Sequence, residues 1–337
     1  MAKTYLGIDI GNDMLKLALV RDGNVRKTAA APMPVNLLRE GRVTSTDTLG
    51  ALIARTMKEN HIRASLGCVV LSDEVCYLRT TQMPRMTTDQ LAYNIPYEFS
   101  DYITGELKNY LFDYAVVPPL AGPAGDGDEE GGEDRMNLLV AAVESVVVED
   151  LRQALRKAGL KLAKVTPVEC AMISLIRDYE ARVGDPDKEY CILDLGFRAI
   201  RMYMFRGPRH ETTRVLEVGL SSLNDIIAEN KNVDPHLAHT YLLTNFEDCQ
   251  TADYCKAAYD NISVELMRAL NFYRFSNPDS QISACWLCGG GAELLPLRDS
   301  IAESMDIEIR TANDLLRDGS QSADAFAYFQ AIGAAAE

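Results

Sequence analysis

Two short stretches of this 337-residue chain have the residue types and spacing for phosphate chemistry. Tyr5-Leu-Gly-Ile-Asp-Ile-Gly11 is echoed by Tyr190-Cys-Ile-Leu-Asp-Leu-Gly196, and each runs on into a second apolar strand pattern. An apolar strand that delivers an Asp into a glycine hairpin brings backbone N–H groups close to phosphate oxygens. Its carboxylate can hold Mg²⁺ through water. Two such units facing one another would clamp a triphosphate between two domains. A third glycine turn, Gly289-Gly290-Gly291-Ala292, follows a strand pattern and would admit a base and ribose. Three ordinary turns are the alternative on pattern alone.

The eight cysteines suggest a different and simpler role. Cys68, Cys76 and Cys191 sit in apolar runs and read as small buried hydrophobes. Cys285-Trp-Leu-Cys288 has CxxC spacing but lies in an extended apolar run, and no second pair at zinc spacing follows it. Free thiols of this kind suit a reducing compartment.

The elements that must position the glycine turns follow from periodicity. Thr4 to Ile10 and Leu15 to Val20 are β-branched apolar runs, and Arg21-Asp22-Gly23-Asn24 is a hairpin turn into Val25 to Ala30. Thr46 to Asn60 has helical spacing, Ser65 to Leu71 is a buried strand, and Asp73 to Gln82 is extended. Thr87 to Gln90 carry a capping-box signature for a helix reaching Phe99. Leu107 to Val117 and Met136 to Val143 read as strands, and Val148 to Gly159 as an amphipathic helix. Lys161 to Thr166 reads as a strand and Glu169 to Glu180 as a helix. Beyond the second repeat unit, Leu223 to Asn230, Pro235 to Leu243 and Asp253 to Phe275 are helical, and Gln281 to Leu287 is a strand. Units of βαβ mixed with hairpins predict an α/β chain with parallel and antiparallel pairing.

Composition narrows the function classes. Apolar residues are 47% and charged residues 25%, as in a globular protein with enough chain for two domains. Lys+Arg is 34 against Asp+Glu 49, a net charge of −15, which opposes binding to nucleic acid or an anionic lipid surface. No stretch approaches the ~20 apolar residues of a membrane span, and the N-terminus lacks a signal-peptide core. A cytoplasmic location is the expectation. Residues 121–134 hold glycine, proline and six acids with no large apolar residue, which predicts a disordered acidic loop.

At the two Asp-x-Gly units the sequence resembles the actin-like ATPase superfamily, and it narrows to the PilM family, the cytoplasmic component of type IV pilus assembly machines. Gly7-Ile-Asp-Ile-Gly11 with Lys16 resembles the family's first phosphate motif. Leu78 to Asp113, with Met83-Pro84 and Pro96-Tyr-Glu98, resembles its inserted small subdomain, which continues through Leu139-Val-Ala-Ala142. Val165 to Leu175 is similar to the segment joining the halves, Glu265 to Tyr273 to the helix before the adenosine motif, and Ala331-Ile-Gly333 to the closing helix.

The resemblance implies two duplicated α/β domains around a nucleotide cleft. It places 1–78 and 160–188 in the first and 189–337 in the second, with a helical subdomain at 216–278. A small α+β insert is expected at 79–159. The implied cofactor is ATP or ADP with Mg²⁺, held by Asp9 and Asp194 through water. Gly11, Asn12, Lys16 and Gly196 would meet phosphate, Gly289, Gly290 and Gly291 the base, and Glu265 and Arg268 the ribose and adenine. Glu265 and Arg268 also fit an ordinary i,i+3 surface ion pair, and Lys16 a strand-end charge.

The first loop reads Asn12-Asp13-Met14 and the second Phe197-Arg198-Ala199 where the family carries small hydroxyl residues. These departures predict weak Mg-ATP binding and turnover near background. They also bring Asp13 and Arg198 to equivalent places, where an ion pair across the cleft is expected.

The implied function is a scaffold beneath the plasma membrane, recruited to its inner face by the N-terminal peptide of a PilN-like single-span protein and associated with other pilus inner-membrane components. No direct membrane insertion is expected. A groove formed by the insert and the first half, with Tyr93, Tyr97, Tyr102, Tyr110 and Tyr114 as contact aromatics, is the expected docking site. The alternatives are a sugar or acid kinase of the same superfamily and an FtsA-like division protein. The kinase lacks an evident catalytic Asp in a substrate loop, and the division protein would end in a basic amphipathic helix.

Overall fold

The computed structural model describes residues 3–117, 135–184, 188–317 and 323–336. The acidic loop expected at 121–134 lies outside the described residues.

Alternation along the first strands sets the first sheet. Strand β1 (Thr4–Ile10) buries Leu6 and Ile8 in one core, and β2 (Met14–Arg21) adds Leu15 and Leu17 to the same face. Both residues of the Asp22-Gly23 turn have positive φ, 52° and 74°. That is the tight hairpin geometry that matches strand twist, and it carries the chain into β3 (Asn24–Pro32). A small hairpin, β4 (Leu38–Arg39) and β5 (Arg42–Val43), precedes helix α1 (Thr46–Glu59), whose first turn is capped by Ser45. Strand β6 (Leu66–Leu71) returns parallel to β1.

The insert follows. Strand β7 (Cys76–Pro84), helix α2 (Thr88–Asn94), and strands β8 (Tyr110–Val117) and β9 (Arg135–Glu144) build a three-stranded sheet in the order β7-β9-β8. Thr87 and Gln90 form the reciprocal capping box that their spacing predicted. Leu91, Ile95 and Phe99 cover one face of this sheet over Leu138 and Val140. The tyrosine expectation needs correction. Tyr93, Tyr97 and Tyr102 are 70%, 56% and 51% exposed, and Tyr93 packs against Tyr97. Tyr110 packs with the insert's own core, leaving Tyr114 as the one of the five that lines a groove toward the first half.

Helix α3 (Ser145–Lys157) belongs with the first half rather than with the insert. Its Val147, Val148, Leu151 and Leu155 share a core with Leu49 and Ile53 of α1. The boundary at 159 read from sequence therefore cuts after a helix that covers the first sheet. Strand β10 (Lys161–Pro167) then joins parallel to β6, and helix α4 (Val168–Val183) crosses to the second half.

The second half repeats the plan. It contains β11 (Glu189–Leu195), β12 (Ile200–Arg206), β13 (His210–Leu216), α5 (Leu220–Lys231), α6 (Pro235–Thr244) and α7 (Asp253–Ser276). Then come β14 (Ala284–Cys288), α8 (Leu295–Ser304), β15 (Glu308–Thr311) and α9 (Phe329–Ala335). The first sheet runs β3-β2-β1-β6-β10 and the second β13-β12-β11-β14-β15, the same order with the same parallel and antiparallel pairings. Helix α9 returns to seal the first sheet. A Cβ on Gly7 would lie 1.7 Å from the Ala331 carbonyl oxygen, and one on Gly333 would lie 2.3 Å from that of Ala171 on α4. Glycine at both places is what lets sheet, α4 and α9 touch backbone to backbone.

Candidate nucleotide cleft

Both first strands carry a carboxylate, Asp9 or Asp194, one residue before their end and hand the chain to a glycine turn, Gly11-Asn12-Asp13 after β1 and Gly196-Phe197-Arg198 after β11. The two turns line one cavity of about 140 Å³, with Gly289 and Gly290 on another wall. A second chamber of about 190 Å³ shares Asp9, Asp194 and Arg201 with it. Strand register places Asp9 opposite Lys16, and Asp194 between Arg201 on β12 and Cys288 on β14.

Close approach explains the glycines. The Gly11 N–H donates to the Met14 carbonyl at 3.1 Å. Gly289 has φ +84°, and a Cβ there would lie 2.3 Å from Asp194 Oδ1. A Cβ on Gly290 would meet nothing within 4 Å, so that position faces open space. Gly291 packs instead against Leu195 and Leu220, turned away from the cavity.

The electrostatics call for a cation. Burial pushes the Asp9 carboxyl up to about 6, with Lys16 relieving and Asp194 aggravating it. Asp194 is raised as well, by burial first, while Lys16, Arg201 and a 2.7 Å hydrogen bond from Gln330 Nε2 counter it. Nearby Glu169 is pushed up to about 7 by burial, and Asp73 adds to the effect. Asp9, Asp13, Glu74 and Asp194 line the cavity against Lys16, Arg198 and Arg201. A polyphosphate entering alone would meet more carboxylates than cations.

The residues fit Mg²⁺ with a nucleotide. Two hard carboxylates are what this ion takes from protein when phosphates and water supply the rest. Among the described residues no cluster of three or more His, Cys, Asp or Glu could hold a metal ion. Asn12 Oδ1 is buried with no hydrogen-bond partner among the described residues. It is an acceptor suited to a metal-bound water, or after amide rotation a donor for a phosphate oxygen.

Asp9, Gly11, Asn12, Lys16, Asp194 and Gly196 thus gather in the cavity with Gly289 and Gly290. Glu265 and Arg268 do not line it. They form an i,i+3 ion pair on α7, with side chains 52% and 68% exposed. The expected Asp13–Arg198 pair is also absent. Asp13 Oδ1 lies 3.3 Å from His239 Nε2 on α6 instead, and Arg198 is exposed. The turns are equivalent in the duplication but do not meet tip to tip, so Asp13 reaches the helical part of the other half. Sequence reasoning missed His239, Asp73, Gln330 and Arg201. Arg201 alone left a signal: it follows Asp194 at the offset by which Lys16 follows Asp9.

The family model described as type IV pilus assembly protein PilM matches residues 7–333. No curated protein matches the sequence significantly. Among solved structures the chain is similar to one described as the PilM-PilN type IV pilus biogenesis complex. The two are 24% identical with a TM-score of 0.79, over 98% of this chain and 97% of that chain. It is also similar to the ethanolamine utilization protein EutJ from Carboxydothermus hydrogenoformans, at 10% identity and a TM-score of 0.59, over 99% of this chain and 89% of that chain. These likenesses, with the duplicated sheets, make this the actin-like ATPase fold. Matched along nearly its whole length, the chain belongs to the PilM family of type IV pilus assembly proteins.

Proposed function

We propose that this chain docks the N-terminal peptide of a PilN-like single-span membrane protein and holds ATP or ADP with Mg²⁺ in its cleft. One observation carries the docking part. A groove of about 410 Å³ runs between the insert and the first half, where β10 leads into α4. Leu78, Leu111, Leu139 and Ala141 line the insert side, and Val165 and Pro167 the other.

Strands β8 and β10 are both at the edges of their sheets. An extended peptide can add main-chain hydrogen bonds to such an edge and seat alternate side chains in the apolar groove. Asp113 and Lys164 lie on its walls as charge anchors for the peptide's polar residues. Among the described residues no helix is long and apolar enough to cross a membrane. In this reading the partner supplies the anchor and recruits the chain to the inner face of the plasma membrane, beside the other pilus components there.

The likeness to a structure described as a PilM-PilN complex supports the choice of peptide. In the cleft, Asp9 and Asp194 would hold Mg²⁺ through water, and Lys16 with the turns at Gly11 and Gly196 would take phosphate. Bound Mg²⁺ supplies charge neutralisation. Hydrolysis is weak or absent in this proposal, because Phe197 stands where a hydroxyl would orient phosphate and Asp13 is turned to His239.

The test is a titration of a labelled N-terminal peptide of a PilN-like single-span protein against the full chain and a Leu111→Glu variant. Leu111 is 47% exposed, so the variant is expected to fold, which its unfolding transition checks. Binding by the wild type with at least ~10-fold weakening in the variant is expected for an apolar anchor. Equal affinities would place docking elsewhere, and no binding by either would end the peptide reading.

A further inference from the structure

Each half presents the same pair of charges to the cleft. Asp9 on β1 lies opposite Lys16 on β2, and Asp194 on β11 lies opposite Arg201 on β12. Lys16 and Arg201 line the same cavity. They differ in what they hold. Lys16 has no ion-pair partner among the described residues, whereas the Arg201 guanidinium is engaged on two nitrogens. Its Nε donates to Asp73 Oδ2 at 2.9 Å and its Nη2 to Asp73 Oδ1 at 2.8 Å. Asp73 follows β6 in the first half, so this fork ties the halves together at the cleft. The pair is only partly wet, with side chains 18% and 33% exposed.

We infer that Arg201 is a second phosphate-binding residue, held in reserve by the Asp73 carboxylate. The inference rests on the nucleotide part of the proposed function and deepens it. A guanidinium presents parallel N–H donors that fit two oxygens of a phosphate as they fit those of a carboxylate. Asp73 therefore occupies the fork as an internal stand-in for the ligand. A polyphosphate held by Lys16 and the Gly11 turn brings its oxygens into the cavity that Arg201 lines. Taking the fork, it replaces a tie between protein groups with one between each half and the ligand. Asp194 remains beside Arg201 throughout and keeps the cation from being stranded when Asp73 leaves.

Two features support a reserved site over a merely structural bridge. Arg201 occupies the register position of the other half's cleft lysine, where a surface tie has no reason to sit. Asp73 and Arg201 also line the chamber next to the glycine turns, with Asp9 and Asp194 as neighbours. A ligand that arrives with Mg²⁺ for those carboxylates is thereby placed next to the fork.

The experiment measures Mg-ADP, Mg-ATP and Mg-pyrophosphate affinity by calorimetry on the full chain. The variants are Asp73→Ala, Arg201→Lys, Arg201→Gln, Lys16→Gln and the double variant Asp73→Ala/Arg201→Gln, each checked for cooperative unfolding. Asp73→Ala frees the fork and is expected to tighten binding several-fold. Arg201→Gln is expected to weaken it about tenfold, and Arg201→Lys, which keeps charge but not the fork, by an intermediate factor. The double variant should bind like Arg201→Gln, because the gain from losing Asp73 acts only through Arg201. If Lys16→Gln loses binding while the Asp73 and Arg201 variants match the wild type, the reserve role is overturned and the nucleotide reading stands. If neither the wild type nor Asp73→Ala binds any of the three ligands, the nucleotide reading falls and this inference with it.

Discussion

His239 Nε2 lies 3.3 Å from Asp13 Oδ1, joining the glycine turn after β1 to helix α6 of the opposite half. Phe197 packs edge-on to the imidazole at 5.6 Å, and Asn224 Nδ2 lies 3.2 Å from Nδ1. Asn224 Oδ1 is buried without a partner among the described residues. Rotating that amide would turn Oδ1 toward an Nδ1–H, so the imidazolium can donate to both neighbours. The hydrogen bond to Asp13 raises the His239 pKa above its ordinary value, with burial opposing.

A histidine whose folded pKa is raised contributes stability that is fully present below its unfolded value of about 6.5. That contribution is lost as pH rises through the folded value. The tie between the halves is therefore expected to be strongest below the unfolded value and to loosen as pH rises through the raised folded value. Wild type and His239→Gln should differ by about 1 kcal/mol at pH 6, the scale of a partly exposed pair, with the difference shrinking toward pH 8.5. Chemical denaturation across that range measures it. A gap that stays constant with pH would mean that the imidazole acts only through packing.

In the proposed Mg²⁺ role, Asp9 sets function against stability. Its carboxyl titrates near 6 in the fold because burial and Asp194 disfavour its charge, against an ordinary value of 3.8. A raised carboxylate pKa means that ionisation costs stability as pH climbs through that interval, about 3 kcal/mol at neutrality for a group this buried. Asp9→Asn is expected to stabilise the ligand-free chain by about 1–3 kcal/mol at pH 7.5, with the gain vanishing below pH 4. The same variant should lose Mg²⁺-dependent nucleotide binding. Denaturant midpoints with and without Mg-ADP check both halves of the expectation.

What the sequence revealed, and what it hid, follows from how local each signal is. The Asp-x-Gly units were legible because an apolar strand and the glycine that ends it lie within a few residues. The capping box at Thr87 and the hairpin at Asp22-Gly23 were legible for the same reason. Strand β13 went unread because, at the sheet edge, it buries no residue fully and shows no alternation. Strand β15 has four residues, too few for a period. Helix α3 was read correctly as a helix but assigned to the wrong layer, since an amphipathic stripe does not say which sheet it covers. Arg201 kept the offset of Lys16 but its tie to Asp73 was hidden, because Asp73 lies far along the chain, and Asp13 was misassigned because its partner sits on α6.

Backbone contact between α9 and the rest makes two glycines irreplaceable. Gly7→Ala would push a methyl to 1.7 Å from the Ala331 carbonyl oxygen, and Gly333→Ala to 2.3 Å from that of Ala171. Neither carbonyl can move without breaking a helix, so each substitution is expected to cost about 3 kcal/mol or more. Gly159 serves as the control. Its added Cβ meets nothing within 4 Å, and only the φ of +80° is at stake. Gly159→Ala should therefore cost about 1 kcal/mol. Urea midpoints that rank the three alike would show that α9 is not packed on the sheet as described.

The Glu265–Arg268 pair separates a surface role from a ligand role. Both side chains are more than half exposed, and pairs of this kind on a helix contribute about 0.5 kcal/mol or less. Replacing both by alanine is thus expected to leave the unfolding midpoint within that margin. If these side chains reach the ribose and adenine, as the family resemblance implies, the double variant should lose about threefold or more in Mg-ADP affinity while its Mg-pyrophosphate affinity stays unchanged. Pyrophosphate lacks the base and sugar, so it isolates the phosphate end of the cleft from the adenosine end. Equal losses for both ligands would trace the effect to a shift of α7, and no loss for either would leave the pair as a solvated i,i+3 bridge with no contact to nucleotide.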